Sequence, residues 1–167
     1  MNYRIERKLQ FDVFGIEAQN SIERCEPAEL WRKAHENGDY EKLFGAAGKL
    51  PEYVPDNLCR VHGIENYCKT DREEKNYMLC AFVSDSSNTL GYKVVHVPEQ
   101  TYVILQSEPF KWDEDFSNTL KNLKEEFNTK WLPESEYEKV DAAQFEIYGG
   151  DEKYGYIELW YPIRKVK

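Results

Sequence analysis

The chain has 167 residues, enough for one domain with a core that needs no metal or disulfide staple. Thirty-one acidic against twenty-two basic residues leave a formal charge of −9, and no Lys/Arg cluster offsets it, so direct binding to nucleic acid is not expected. The longest apolar runs, such as Tyr102-Val-Ile-Leu, have strand length, and Met1-Asn-Tyr-Arg-Ile-Glu-Arg lacks a secretory apolar stretch, which predicts a soluble, cytoplasmic protein with no membrane partner.

In chain order, residues 3–20 alternate around Phe11, Val13 and Gly15 and read as a strand. Pro27 opens a predicted helix carrying Leu30, Trp31, Ala34, Leu43 and Phe44, with an interruption at Gly38. Trp31 is expected in the core. Pro51 and Pro55 mark a loop, and residues 58–67 and 76–84 read as two strands around the charged turn 69–75. The second half repeats this order. Residues 91–105 read as strand, turn, strand, and Phe116, Leu120, Leu123, Phe127 and Trp131 then follow at steps of four, three, four and four, one helical stripe. Pro133 is expected to stop that helix, and two strands close the unit. The prediction is an α+β fold of one domain, residues 1–167, with pseudo-repeats at about 1–88 and 89–167. Its duplicated strand-helix-strand-strand units form a mostly antiparallel sheet, with the helices on one face and a central groove.

The four cysteines (25, 59, 68 and 80) form no Cys-x-x-Cys pair, and His35, His62 and His96 stand far apart, so reduced structural thiols and no metal site are expected. No nucleophile elbow, phosphate-binding glycine loop or dinucleotide fingerprint occurs; no catalytic residue or cofactor is assigned. The aromatic content, twelve Tyr, eight Phe and four Trp, exceeds what a core of this size needs and points some rings at a ligand. The terminal strands carry the clearest candidates. Phe145 and Ile147 alternate with Glu146 and Tyr148, while Ile157, Leu159 and Tyr161 alternate with Glu158 and Trp160. Paired through Gly149-Gly150, these strands would put both carboxylates and both large rings on one face, a surface suited to an organic cation. Glu158 has the alternative of pairing with a surface cation such as Arg164. Phe110 and Trp112 precede the second helix, where a loop closing over the groove or simple packing would use them. Tyr67, Tyr77 and Met78 are the pseudo-equivalent positions of the first half.

Four segments, Gly91-Tyr-x-Val-Val-x-Val-Pro-Glu-Gln-Thr-Tyr, Trp131-Leu-Pro-Glu-Ser-Glu-Tyr, Phe145-Glu-Ile-Tyr and Glu158-Leu-Trp-Tyr-Pro-Ile, occur in an order and spacing that resemble the GyrI-like effector-binding domains, also found in AraC-type and MerR-type multidrug-sensing regulators. The resemblance covers nearly the whole chain. It implies a groove for small, often cationic and aromatic, molecules, with Glu146 as the ligand-facing carboxylate, in a stand-alone module used for sensing or sequestration. It equally admits a hydrolase of strained cyclopropane compounds using the same glutamate, or a protein that engages gyrase or a transcription regulator. The chain departs from the family at His62-Gly63, where Tyr-Gly is common, and at Cys80-Ala81, where Ala-Gly is common, so the first-half wall of the groove transfers least directly.

Overall fold

The computed structural model describes residues 2–18, 27–67 and 76–166; the charged turn 69–75, Cys25 and Cys68 lie outside these. The stretch 3–20 is two strands, not one: β1 (Asn2–Lys8) and β2 (Phe11–Glu17) part at Leu9-Gln10 and pair with different neighbours. Then come α1 (Pro27–Asn37), α2 (Asp39–Ala47), β3 (His62–Glu65), β4 (Tyr77–Phe82), β5 (Lys93–Val97), β6 (Gln100–Gln106), the short β7 (Phe110–Lys111) and α3 (Ser117–Glu126). Gly38, at φ 84°, separates α1 from α2 at the predicted interruption. The chain ends with β8 (Tyr137–Lys139), β9 (Gln144–Gly150) and β10 (Tyr154–Lys165).

The sheet order is β1-β6-β10-β9-β3-β4-β2-β5, antiparallel throughout, with β7 and β8 added onto β10. The order is two-fold symmetric. β3-β4-β2 of the first unit and β9-β10-β6 of the second meet at the β3–β9 pair, and each outermost strand, β1 or β5, comes from the opposite half of the chain.

Helical packing follows from the alternation of the strands. Phe14, Tyr77, Leu79 and Ala81 bury against Leu30, Ala34, Leu43 and Ala47 of α1 and α2. Val103, Leu105, Ile157, Leu159 and Tyr161 bury on the same face against Leu123 and Phe127. The other face of the curled sheet has its own core, built on Phe11, Ile64, Met78, Cys80, Phe82, Tyr102, Phe145 and Trp160.

The apolar stripe from Phe116 to Trp131 is not one regular helix. α3 passes at Phe127 into a π-helical turn, Phe127–Trp131, and a last turn, Leu132–Glu134, contains Pro133, which sits inside the helix end instead of stopping it. The π turn keeps Phe127 and Trp131 both inward, and Phe127 stacks on Tyr161 with ring centroids 3.7 Å apart. Phe127 is fully buried, so Phe127→Ala is expected to cost about 3 to 5 kcal/mol in urea denaturation.

Candidate functional site

The pairing register decides which predicted residues meet. Glu146 lies opposite Gly63 on one side and Leu159 on the other, and Leu79 and Leu105 continue the row across the helical face. Glu146 therefore sits at the seam between the two units, beneath the space between α1 and α3. Tyr148 pairs with Ile157 on this face. Glu158 and Trp160, in contrast, pair with Ile147 and Phe145 and point to the opposite face. The expectation of two carboxylates and two rings on one face fails because the hairpin register stands one residue away from the arrangement it needed, and one residue inverts every side chain.

Glu146 is only 7 % exposed. Tyr77 donates its hydroxyl to Glu146 Oε2 at 3.1 Å, and that hydroxyl accepts from the Trp31 indole N–H at 2.8 Å. Lys124 on α3 places Nζ 3.6 Å from Glu146 Oε1, an ion pair longer than a hydrogen bond. Burial pushes the Glu146 carboxyl above the ordinary glutamate value; nearby Lys124 opposes this and Glu65 adds to it. Burial also raises the phenols of Tyr77 and Tyr148, and the adjacent Glu146 charge raises them further.

Gly63 makes this arrangement fit. A Cβ there would stand 2.3 Å from the Tyr77 hydroxyl and 3.2 Å from Glu146 Oε2. Only a residue without a side chain lets Tyr77 and Glu146 converge over β3. Tyr148 meets Trp31 at 5.6 Å and Phe116 at 6.5 Å, both edge-on, so three rings span the seam from α1 to the start of α3. Its backbone is held unusually: the N–H donates to His62 Nδ1 at 3.0 Å, a side chain standing in for a ladder carbonyl, and the C=O accepts from Cys59 N–H at 2.9 Å. His62 is fully buried, its pKa lowered to about 3 by desolvation.

Beside Glu146, a crevice touched by Glu65, Tyr77, Lys124, Leu159 and Tyr161 has about 10 Å³ of free space, close to the lower bound for one water. Among the described residues, this side of the groove is closed. A larger open hollow, about 510 Å³, lies on the other side of the molecule by Tyr53 and His96, where no buried carboxylate stands.

Of the predicted residues, Glu146, Tyr77 and Tyr148 come together. Phe110 reaches the neighbourhood indirectly: it is buried under α3, in strand β7, and stacks on Phe116 at 4.5 Å. Trp112 likewise meets Phe116, edge-on at 6.0 Å. Its indole donates to the Asp151 carbonyl at 2.8 Å and its ring fills the space beside Gly155. Met78 is buried in the opposite core, and Tyr67 packs against that core while its hydroxyl donates to Glu17 at 2.8 Å. Glu158 is already satisfied there: Arg4 Nη1 donates to it at 3.0 Å and the Trp160 indole at 3.1 Å. Lys8 covers the Trp160 ring at 4.4 Å, and Arg164 pairs instead with Glu138. Trp31, expected in the core, is half-buried at the groove. Lys124 and Phe116 join the site without having been expected, and Gly63, read from the sequence only as part of the first-half wall, is where the backbone must approach closely. Among the described residues, no three His, Cys, Asp or Glu side chains gather as a metal site, and no helix is long and apolar enough to cross a membrane.

A curled antiparallel sheet of many strands with its helices on one face is the GyrI-like effector-binding architecture. The chain belongs to the integron-associated effector-binding protein family (Cass2), whose model matches residues 4–163. Among solved structures it is similar to SAV2435 bound to tetraphenylphosphonium, with a TM-score of 0.72 at 18 % identity, covering 98 % of this chain and 94 % of that one. The EcmrR C-terminal domain superposes with a TM-score of 0.60 at 13 % identity, covering 99 % and 98 %. An integron cassette protein from the mobile metagenome of Vibrio cholerae gives 0.51 at 16 % identity, covering 97 % and 95 %. No curated protein sequence matches the chain.

Proposed function

We propose that this protein binds lipophilic aromatic monocations in the seam groove, in the cytoplasm, for sensing or sequestration, with Glu146 as the counter-charge. The observation that carries this reading is a carboxylate buried among rings, which no guanidinium of the described residues neutralises. Desolvation of a carboxylate is costly, and a charge poorly screened by water attracts a weakly hydrated cation strongly. Trp31, Tyr148 and Phe116 offer ring faces or edges to such a ligand, each face worth roughly 0.5 to 2 kcal/mol to a cation. The SAV2435 structure was solved with tetraphenylphosphonium, a ligand of this class. A protein partner that reads the filled groove, a transcription regulator or gyrase, is part of the same proposal.

Calorimetric titration with tetraphenylphosphonium and with neutral triphenylphosphine oxide tests the reading. Saturable binding of the phosphonium and markedly weaker binding of the oxide support it; equal binding of both removes it. The affinity for the phosphonium is expected to fall as pH drops through the raised Glu146 value, because protonation removes the counter-charge. Among the described residues the groups facing Glu146 are Tyr77 on β4, Tyr148 on β9, Tyr161 on β10, Glu65 on β3 and Lys124 on α3, and the three tyrosines stay neutral over that range. The raised value also makes ionisation of Glu146 unfavourable to folding. Its stabilising contribution is present below the unfolded-state pKa and is lost as pH rises through the folded one.

A second reading has its own observation. Glu146 beside the Tyr77 hydroxyl is a general-base pair, which would direct water onto an electrophilic carbon such as that of a strained cyclopropane. Turnover of such a compound, abolished by Glu146→Gln, would favour a hydrolase over a binding protein. Retention of gyrase that is insensitive to the same substitution would assign an interaction surface elsewhere.

A further inference from the structure

The closed groove already contains a cation. Lys124 reaches Glu146 from α3, and the pair is asymmetric: the glutamate side chain is 9 % exposed and the lysine 43 %. The lysine thus approaches from the solvent side, its tip directed at the buried charge and its stem along the crevice wall. We propose that Lys124 is a resident counter-ion holding the position of the ligand's charge, so that ligand binding is an exchange in which its ammonium returns to water. This rests on the groove reading above and adds to it the rule by which the site selects.

The selection follows from hydration. An ammonium is compact and strongly hydrated, so the displaced Lys124 regains much when it swings out. A bulky cation with its charge spread beneath aromatic rings gives up little hydration on entering, and the exchange favours it. A small amine or an alkali metal ion gives up about as much as the lysine regains, and finds no ring contacts to add. The site therefore rejects the abundant small cations of a cell without any steric filter. Because one positive charge replaces another, Glu146 is never left without a counter-charge. This matters because a buried charge stripped of its partner is strongly destabilising.

The geometry also supplies a place for the helix to yield. Lys124 lies in the last turn of α3, immediately before the π-helical turn Phe127–Trp131, and wide turns of this kind are frequent at functional sites. Among the described residues the crevice has room for no more than about one water, so a ligand entering it displaces the lysine.

The test uses the full chain as wild type, Lys124→Met and Lys124→Gln, titrated with tetraphenylphosphonium and triphenylphosphine oxide. The inference expects both variants to bind the phosphonium about three- to tenfold tighter than wild type, since a half-exposed competing ion pair is removed. Binding of the neutral oxide should change by less than about twofold in Lys124→Gln. The gain should vanish when Glu146→Gln is added. A second measurement needs no variant: the rate of reductive methylation of Lys124, followed by mass spectrometry, should rise when tetraphenylphosphonium is added, because the ligand releases the amine. Wild type that binds the phosphonium, with variants no tighter or with Lys124 protected from methylation, would overturn the exchange and leave the groove reading standing. Folded wild type and variants that all fail to bind would overturn both.

Discussion

Glu146→Gln is expected to weaken tetraphenylphosphonium binding by roughly 30-fold to more than 1000-fold, about 2 to 5 kcal/mol, while leaving the neutral phosphine oxide nearly unaffected. The substitution preserves shape and an acceptor for the Tyr77 hydroxyl, so the hydrogen-bonded row Trp31–Tyr77–146 need not rearrange. What changes is the charge. Folding stability should fall little or even rise, because an amide is cheaper to bury than a carboxylate whose close cation among the described residues is the half-exposed Lys124. Loss of cation discrimination in a protein that melts no lower than wild type would separate a binding role from a structural one. Loss of both together would instead make Glu146 a framework residue.

The largest effect on folding is expected at Gly15. β4 passes so near β2 that a Cβ on this residue would lie 1.7 Å from the Leu79 carbonyl oxygen and 2.9 Å from Cys80 Cα, both main-chain atoms that no rotamer change can move. Gly15→Ala should therefore cost at least about 3 kcal/mol or abolish folding, because β2 is hydrogen-bonded on both sides and cannot shift away from β4 without straining its pairing with β5. Gly45→Ala provides the internal contrast. Gly45 lies within α2 with nothing within 4 Å of the Cβ position, and the change should be neutral or stabilising by up to about 1 kcal/mol. Urea denaturation of the two variants beside wild type decides whether close approach, and not glycine flexibility, is what these positions require.

The sequence was most legible where periodicity is local. The helical stripe, the break at Gly38 and the alternation of β9 and β10 are all read within a few residues. Glu146 was reachable because its alternating strand and the Phe-Glu-x-Tyr motif pointed to the same side chain. What could not be read was how alternating strands align. Gly150, at φ 129°, and the loop residues after it set the β9–β10 register, and only that register sends Glu158 and Trp160 away from Glu146. Residues 3–20 misled for a similar reason: no glycine or proline marks the break at Leu9-Gln10, and β1 finds its partner in β6 nearly a hundred residues on. Lys124 gave no signal, since it is one of two lysines in an amphipathic helix, and only the tertiary placement of α3 over the seam singles it out. Trp31 carried the right spacing for a core residue, yet its N–H needed a partner, and the Tyr77 hydroxyl at the groove supplied one.

The two outermost strands also bear on how this architecture arose. β1 precedes the first unit but completes the sheet of the second, while β5 precedes the second and completes the first. That reciprocal loan is the pattern of a dimer whose identical subunits traded their leading strands and were later fused into one polypeptide. Neither half can then be excised with its hydrogen bonding intact. In such an ancestor the central pocket would have been an intersubunit site lying on a symmetry axis and walled by equivalent residues. Here the two walls differ: across the β3–β9 pair one side presents Gly63 where the other presents Glu146, and the cleft is directional although the strand order is symmetric.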